Sequence, residues 1–107
     1  MTSGPSRRYP RVKSPKELRV AWQAGAKKAV SSLETLALGG LFIRTPEPPA
    51  VGASVQLLID MPEGEVRARA VVRSVESGRG MGVEIVSMRQ EDRARLDKFL
   101  KPLLPGK

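Results

Sequence analysis

The sequence predicts a mainly β domain: a six-stranded antiparallel β-barrel with one C-terminal α-helix. Three observations lead there. Six short segments show the apolar–polar alternation of half-buried strands. Gly- and Pro-containing turns separate them, and the intervals leave no room for the crossover helices of a parallel sheet. Only the last apolar segment changes to a helical period. A length of 107 residues fits a single domain.

Taken in order, residues 1–15 are rich in Pro, Ser, Arg and Lys and have no apolar periodicity. They read as a flexible, basic N-terminal arm ahead of a barrel spanning residues 16–107. Leu18, Val20 and Trp22 alternate with Arg19, Ala21 and Gln23, giving a first strand that Ala24-Gly25 turns. A second strand, weaker in its alternation, covers Lys27 to Leu36. Gly39-Gly40 breaks it before a short third strand at Leu41-Phe42-Ile43, closed by Thr45-Pro46. The run Glu47-Pro48-Pro49-Ala50 is a loop, because consecutive prolines cannot donate to a ladder. Val55, Leu57, Ile59 and Met61 mark the fourth strand, and Pro62-Glu63-Gly64 the next turn. The fifth strand runs from about Glu65 to Glu76, with Val66, Ala68, Ala70 and Val72 on one face and Arg67, Arg69 and Arg73 on the other. After Ser77-Gly78-Arg79-Gly80, Gly82 to Val86 form the sixth. Leu96, Phe99, Leu100 and Leu103 then make one helical stripe. Ser87 with Gln90 fits a capping box at its start, and Pro102 stops the helix.

Composition narrows function. There is no cysteine and no histidine, which removes disulfides, thiolate chemistry, the usual zinc sites and every Ser-His or Cys-His constellation. No carboxylate pair is picked out by spacing, so an enzyme is not expected, and neither a metal nor a cofactor is implied. No apolar run approaches the ~20 residues that span a bilayer. The opening Met-Thr-Ser-Gly-Pro-Ser-Arg-Arg lacks the apolar region of a secretory signal, so a cytoplasmic location is expected. A net charge of +8 favours anionic partners. Four aromatic residues are few for a nucleic-acid binder that works by stacking.

Two stretches carry candidate chemistry. Arg7-Arg8-Tyr9-Pro10-Arg11 puts three guanidiniums within five residues. Each is a planar fork matched to phosphate oxygens, and its flat face stacks on a purine. Taken alone, such a basic tail more often is simply solvated. Thr35-Leu36-Ala37-Leu38-Gly39-Gly40-Leu41-Phe42 places paired glycines after a strand, a tight corner or a point of close approach.

Together, and followed by Val55-Gln56-Leu57-Leu58-Ile59, Ala70-Val71-Val72-Arg73, Gly80-Met81-Gly82-Val83-Glu84 and an amphipathic helix, these segments resemble the PilZ domain family from about Arg7 to Leu100. The resemblance implies a PilZ-type barrel whose RxxxR arm and [D/N]xSxxG strand motif bind cyclic di-GMP. Arg7 and Arg11 match the two motif arginines, Arg8 is auxiliary, and the second motif ends at Gly40, with Gly39 beside it. This chain departs from that motif at Thr35, where the family has Asp or Asn, and at Ala37, where it has Ser. Two lost hydrogen bonds, at ~1–3 kcal/mol each, weaken binding by roughly two to three powers of ten. Glu34 lies one residue earlier, and strand period points it to the face opposite Thr35 unless the strand bulges.

The leading expectation is therefore a cyclic di-GMP receptor whose arm orders on the ligand and signals to a still unidentified effector protein. The alternative is a PilZ-like protein–protein adaptor that binds no nucleotide. Nucleic-acid binding by a basic barrel ranks third.

Overall fold

The computed structural model describes residues 12–13 and 18–103. Its strands are β1 (Val12–Lys13), β2 (Arg19–Ala24), β3 (Lys27–Leu36), β4 (Gly40–Arg44), β5 (Ser54–Met61), β6 (Gly64–Glu76) and β7 (Gly80–Ser87). A helix, α1 (Gln90–Leu100), and a single 3-10 turn at Lys101–Leu103 follow. Neighbours in the sheet run in the order β1-β3-β2-β5-β6-β7-β4, and β4 also pairs with β3. That last pairing closes β2 to β7 into a six-stranded antiparallel barrel, as the alternation predicts. Closure removes the open sheet edges that would otherwise template aggregation.

Alternation decides the inside. Val20 and Trp22 of β2, Val55, Leu57 and Ile59 of β5, and Val66, Ala70 and Val72 of β6 are buried, while the residues between them face outward. Trp22 is a core anchor at 2% exposure, and its indole N–H donates to Ser31 Oγ at 3.0 Å. Burying an aromatic of this size while satisfying its one donor is what makes the position favourable.

The helix closes one end of the barrel by burying Leu96 and Leu100, with Phe99 partly buried. Two polar contacts set its position on β6. Asp92 Oδ1, buried, accepts the Arg67 backbone N–H at 3.1 Å, and Arg95 donates to the Glu65 carbonyl at 2.8 Å. The capping box expected from Ser87 and Gln90 is not formed. Ser87 is the last residue of β7, held opposite Arg69, and the helix starts after Arg89 with no side-chain cap. The strand ladder takes Ser87 because pairing with β6 continues that far. Along the helix Asp97 pairs with Lys101 at 3.6 Å, Asp92 with Arg95 at 3.6 Å, and Glu91 with Arg89 at 3.1 Å. The helix stops two residues before Pro102, as the missing N–H requires.

Two residues of the expected irregular arm belong to the sheet. Val12 and Lys13 pair with Leu36 and Thr35. Thr35 and Leu36 also pair with β4. Strand β1 therefore lies on the other edge of β3, along the same edge as β2.

Candidate functional site

The C-terminal half of β3 is where the sequence motif and the closure of the barrel coincide. Its pairing with β4 runs Leu33 to Ile43, then Thr35 to Phe42 and Leu36 to Leu41. Two steps on β3 thus oppose one on β4, and Glu34 is the extra residue of a β-bulge. The consequence is visible in burial: Leu33 and Leu36, three apart, both enter the core at 4% and 0% exposure. A regular strand would place them on opposite faces. The bulge absorbs the difference and leaves Glu34 and Thr35 together on the outer face. The expectation that Glu34 faces away from Thr35 is thereby corrected. The in–in spacing of Leu33 and Leu36 is the sequence signal that reveals it.

On that outer face Thr35 stands beside Phe42, Phe42 opposite Gly82, and Gly82 opposite Ser74. The Phe42 ring lies over Gly80 and Gly82, where any Cβ would meet the ring or Ser74 Oγ at about 3 Å or less. The Arg79 guanidinium sits over the ring, 4.8 Å from its centroid, a cation–π arrangement. It donates to Glu34 at 2.6 Å and to Glu76, and Arg44 approaches Glu34 at 3.6 Å. The hydrogen bond to Glu76 is the largest cause of an Arg79 pKa raised above its ordinary value; desolvation opposes it, and the charges of Glu34 and Glu76 and the hydrogen bond to Glu34 add to the rise. It remains a cation throughout the working range. Sequence reasoning missed Arg79, Phe42 and Glu76, because only barrel closure brings residues 34 and 79 together.

The glycine corner is built by the backbone. Ala37 and Gly40 exchange hydrogen bonds, Ala37 N–H to Gly40 at 2.9 Å and the reverse at 3.4 Å, and the Gly39 carbonyl accepts from Ile85 N–H at 2.8 Å. Gly40 is buried where an added Cβ would collide with the Val83 carbonyl oxygen. Ala37 is 2% exposed and adds no polar atom to the outer face. Thr35 Oγ1 and Glu34 Oε1 are shielded from solvent yet have no hydrogen-bond partner among the described residues. Of the sequence-predicted site residues, Thr35, Gly39 and Gly40 are brought together here. Arg7, Arg8 and Arg11 lie outside the described residues. Among the described residues no group of three metal-ligating side chains occurs, and no helix is long and apolar enough to cross a membrane.

The model of the PilZ domain family matches residues 5–101. This chain belongs to the PilZ domain family. No curated protein sequence matches it. Among solved structures, it resembles the PilZ domain with cyclic di-GMP of YcgR from Escherichia coli, at 18% identity and a TM-score of 0.75, covering 91% of this chain and 90% of that one. It also resembles the Bacillus subtilis inhibitor of motility MotI/DgrA, at 20% identity and a TM-score of 0.74, over 92% of this chain and 50% of that one. The K. pneumonia MrkH–cyclic di-GMP complex matches at 19% identity and a TM-score of 0.73, over 91% and 51%. The PilZ domain described here thus spans about half the length of MotI/DgrA and of MrkH. At these identities the likeness establishes the fold.

Proposed function

We propose that this PilZ domain is a receptor for cyclic di-GMP, bound between its N-terminal arginines and the outer face of β3. Arg7 and Arg11, with Arg8, hold the phosphates and stack on the guanines. Thr35, Gly39 and Gly40 border the ligand on the barrel side. Bound ligand orders the arm against the barrel and creates a surface for an effector protein. No step is catalytic.

The observation that carries this reading is the bulge at Glu34. It sets a carboxylate beside Thr35, on the face where the family's Asp or Asn would stand. A carboxylate accepts the two parallel N–H groups of a guanine edge, which the Thr35 hydroxyl cannot do. The loss expected from Thr35 is thus offset by its neighbour. Arg79 holds Glu34 Oε2 in a charge-assisted hydrogen bond of 2.6 Å, with side chains 50% and 24% exposed, so a guanine edge that takes both carboxylate oxygens displaces this contact and exchanges one such bond for two. The β1 pairing supports the same placement, since Val12, covalently next to Arg11, is fixed opposite Leu36.

The alternative, an adaptor that binds no nucleotide, draws on one observation. The Glu34–Arg79–Glu76 network is complete without a ligand. Isothermal titration at ordinary ionic strength separates the two. The receptor predicts saturable heat with cyclic di-GMP that an Arg7→Ala/Arg11→Ala variant loses. No heat at high micromolar ligand leaves the adaptor, which predicts that partners are retained in cells lacking the nucleotide.

A further inference from the structure

A second outer face of the barrel, across β3, β2, β5 and β6, is unused by the site above. Registers place its side chains in two rows. One runs Val30, Ala21, Leu58, Arg67, and the next runs Lys28, Gln23, Gln56, Arg69. Met88 and Arg89, on the connection to α1, line this face with the two rows and bound a groove of about 710 Å³. The floor is apolar along Val30, Ala21 and Leu58, with Val30 62% exposed. The rim carries Lys28, Arg67, Arg69 and Arg89, and among the described residues no acidic side chain lines the groove. Among the described residues Lys28, Arg67 and Arg69 make no ion pair, while Arg89 reaches Glu91 at 3.1 Å. Asp60 and Glu65, paired one row further along the same face, mark its acidic border.

We infer that this groove docks an acidic, amphipathic segment of a partner protein. Charge decides the occupant. The chain's own arm carries Arg7, Arg8, Arg11 and Lys13, and a second copy carries +8, so both are repelled. Single-stranded nucleic acid needs stacking platforms, and the one aromatic at the groove, Trp22, is 2% exposed. An acidic helix meets both features at once. Its leucines lie on Val30, Leu58 and Met88, and its carboxylates meet the unpaired cations. The three strand-to-strand steps from β3 to β6 span about 14 Å, the length of about ten helical residues.

The test is an NMR titration of the whole chain, labelled with nitrogen-15, against a synthetic peptide of about twelve residues. The peptide carries leucine at helical i, i+3, i+4, i+7 spacing and glutamate elsewhere. Expected are amide shifts confined to residues of the two rows and the Met88–Arg89 wall, with binding weakened as salt rises. Arg67→Glu/Arg69→Glu should weaken binding at least about tenfold, since each reversal sets like charges together at the interface. Arg67→Gln/Arg69→Gln should weaken it less, with an unchanged melting temperature. Arg73→Glu, outside the groove, should leave binding intact. The inference is overturned by any of three results: no shifts at millimolar peptide, equal binding of the same peptide with lysine for glutamate, or an oligothymidylate that binds the groove in the peptide's place.

Discussion

Replacing Gly40 by alanine tests the physical reason for the glycine corner. Gly40 opposes Glu84 in the β4–β7 ladder, and a Cβ there would come nearer to the Val83 carbonyl oxygen than the 3.0 Å that real Cβ atoms observe. The obstacle is backbone, so no rotamer relieves it, and β4 must move away from β7. Overpacking of this kind costs about 1–3 kcal/mol. The bonds from Ile85 N–H to Gly39 and between Ala37 and Gly40 are strained with it, at about 1 kcal/mol each. Overpacking at the middle of that range with one of the three bonds lost totals about 3 kcal/mol, a large share of the roughly 5–15 kcal/mol that holds a domain folded. It should lower the melting temperature by about 12 °C or more. Gly78→Ala is the control. Nothing lies within 4 Å of its Cβ, so only its φ of 77° is penalised, at about 1–2 kcal/mol. Thermal unfolding followed by circular dichroism reads both. If Gly40→Ala melts within about 4 °C of the parent, the steric account is wrong and the glycine's role lies elsewhere.

Asp92→Ala should cost about 1–3 kcal/mol, because it removes the buried acceptor of the Arg67 N–H. Asp92→Asn should keep most of that, and urea unfolding should show a shifted midpoint at constant slope. Leu96→Ala empties a fully buried site under the helix and should cost about 2–5 kcal/mol; amide exchange in α1 and β6 should rise together. Under the receptor reading, Glu34→Gln should weaken cyclic di-GMP about tenfold or more in titration calorimetry, the equivalent of ~1.4 kcal/mol. Unchanged affinity would remove Glu34 from the guanine contact. Thr35→Asp, which restores the family's side chain, should strengthen binding in the same assay.

The barrel was legible because period-two alternation is a direct imprint of a sheet with one wet face. Lys27–Leu36 was read to the residue, and the other five barrel strands to within about two at each end. What escaped shares one cause: it depends on contacts between distant parts of the chain. The capping box failed because β6 extends the ladder through Ser87. Strand β1 is two residues long, too short to carry a period. The bulge was written only as a defect, Leu33 and Leu36 both apolar in a strand that should separate them. Arg79 sat in a turn with nothing to link it to Glu34 until β4 and β7 paired. Half of the candidate site was named from sequence alone, because paired glycines mark a strand break whatever distant contact requires them. Its charged half is tertiary.

That division bears on which residues can speak for a ligand. Gly39 and Gly40 are explained by the barrel itself, through a carbonyl accepting from Ile85 and a backbone approach that excludes any side chain. Their presence is required whether or not a nucleotide binds. The oxygens of Glu34 and Thr35 are different. Shielding a polar atom without a partner costs about 1–3 kcal/mol, and nothing in the packing of Leu33 or Leu36 demands that either neighbour be polar. A purely structural bulge would be more stable with its outward atoms satisfied. Among the described residues Thr35 Oγ1 has no partner and Glu34 Oε1 has only the 3.6 Å approach of Arg44 in place of a hydrogen bond, so these two oxygens, on the face beside β1, carry more information about binding than the glycine pair. Mutations at Glu34 and Thr35 should change affinity at little cost to stability, and those at Gly40 the reverse.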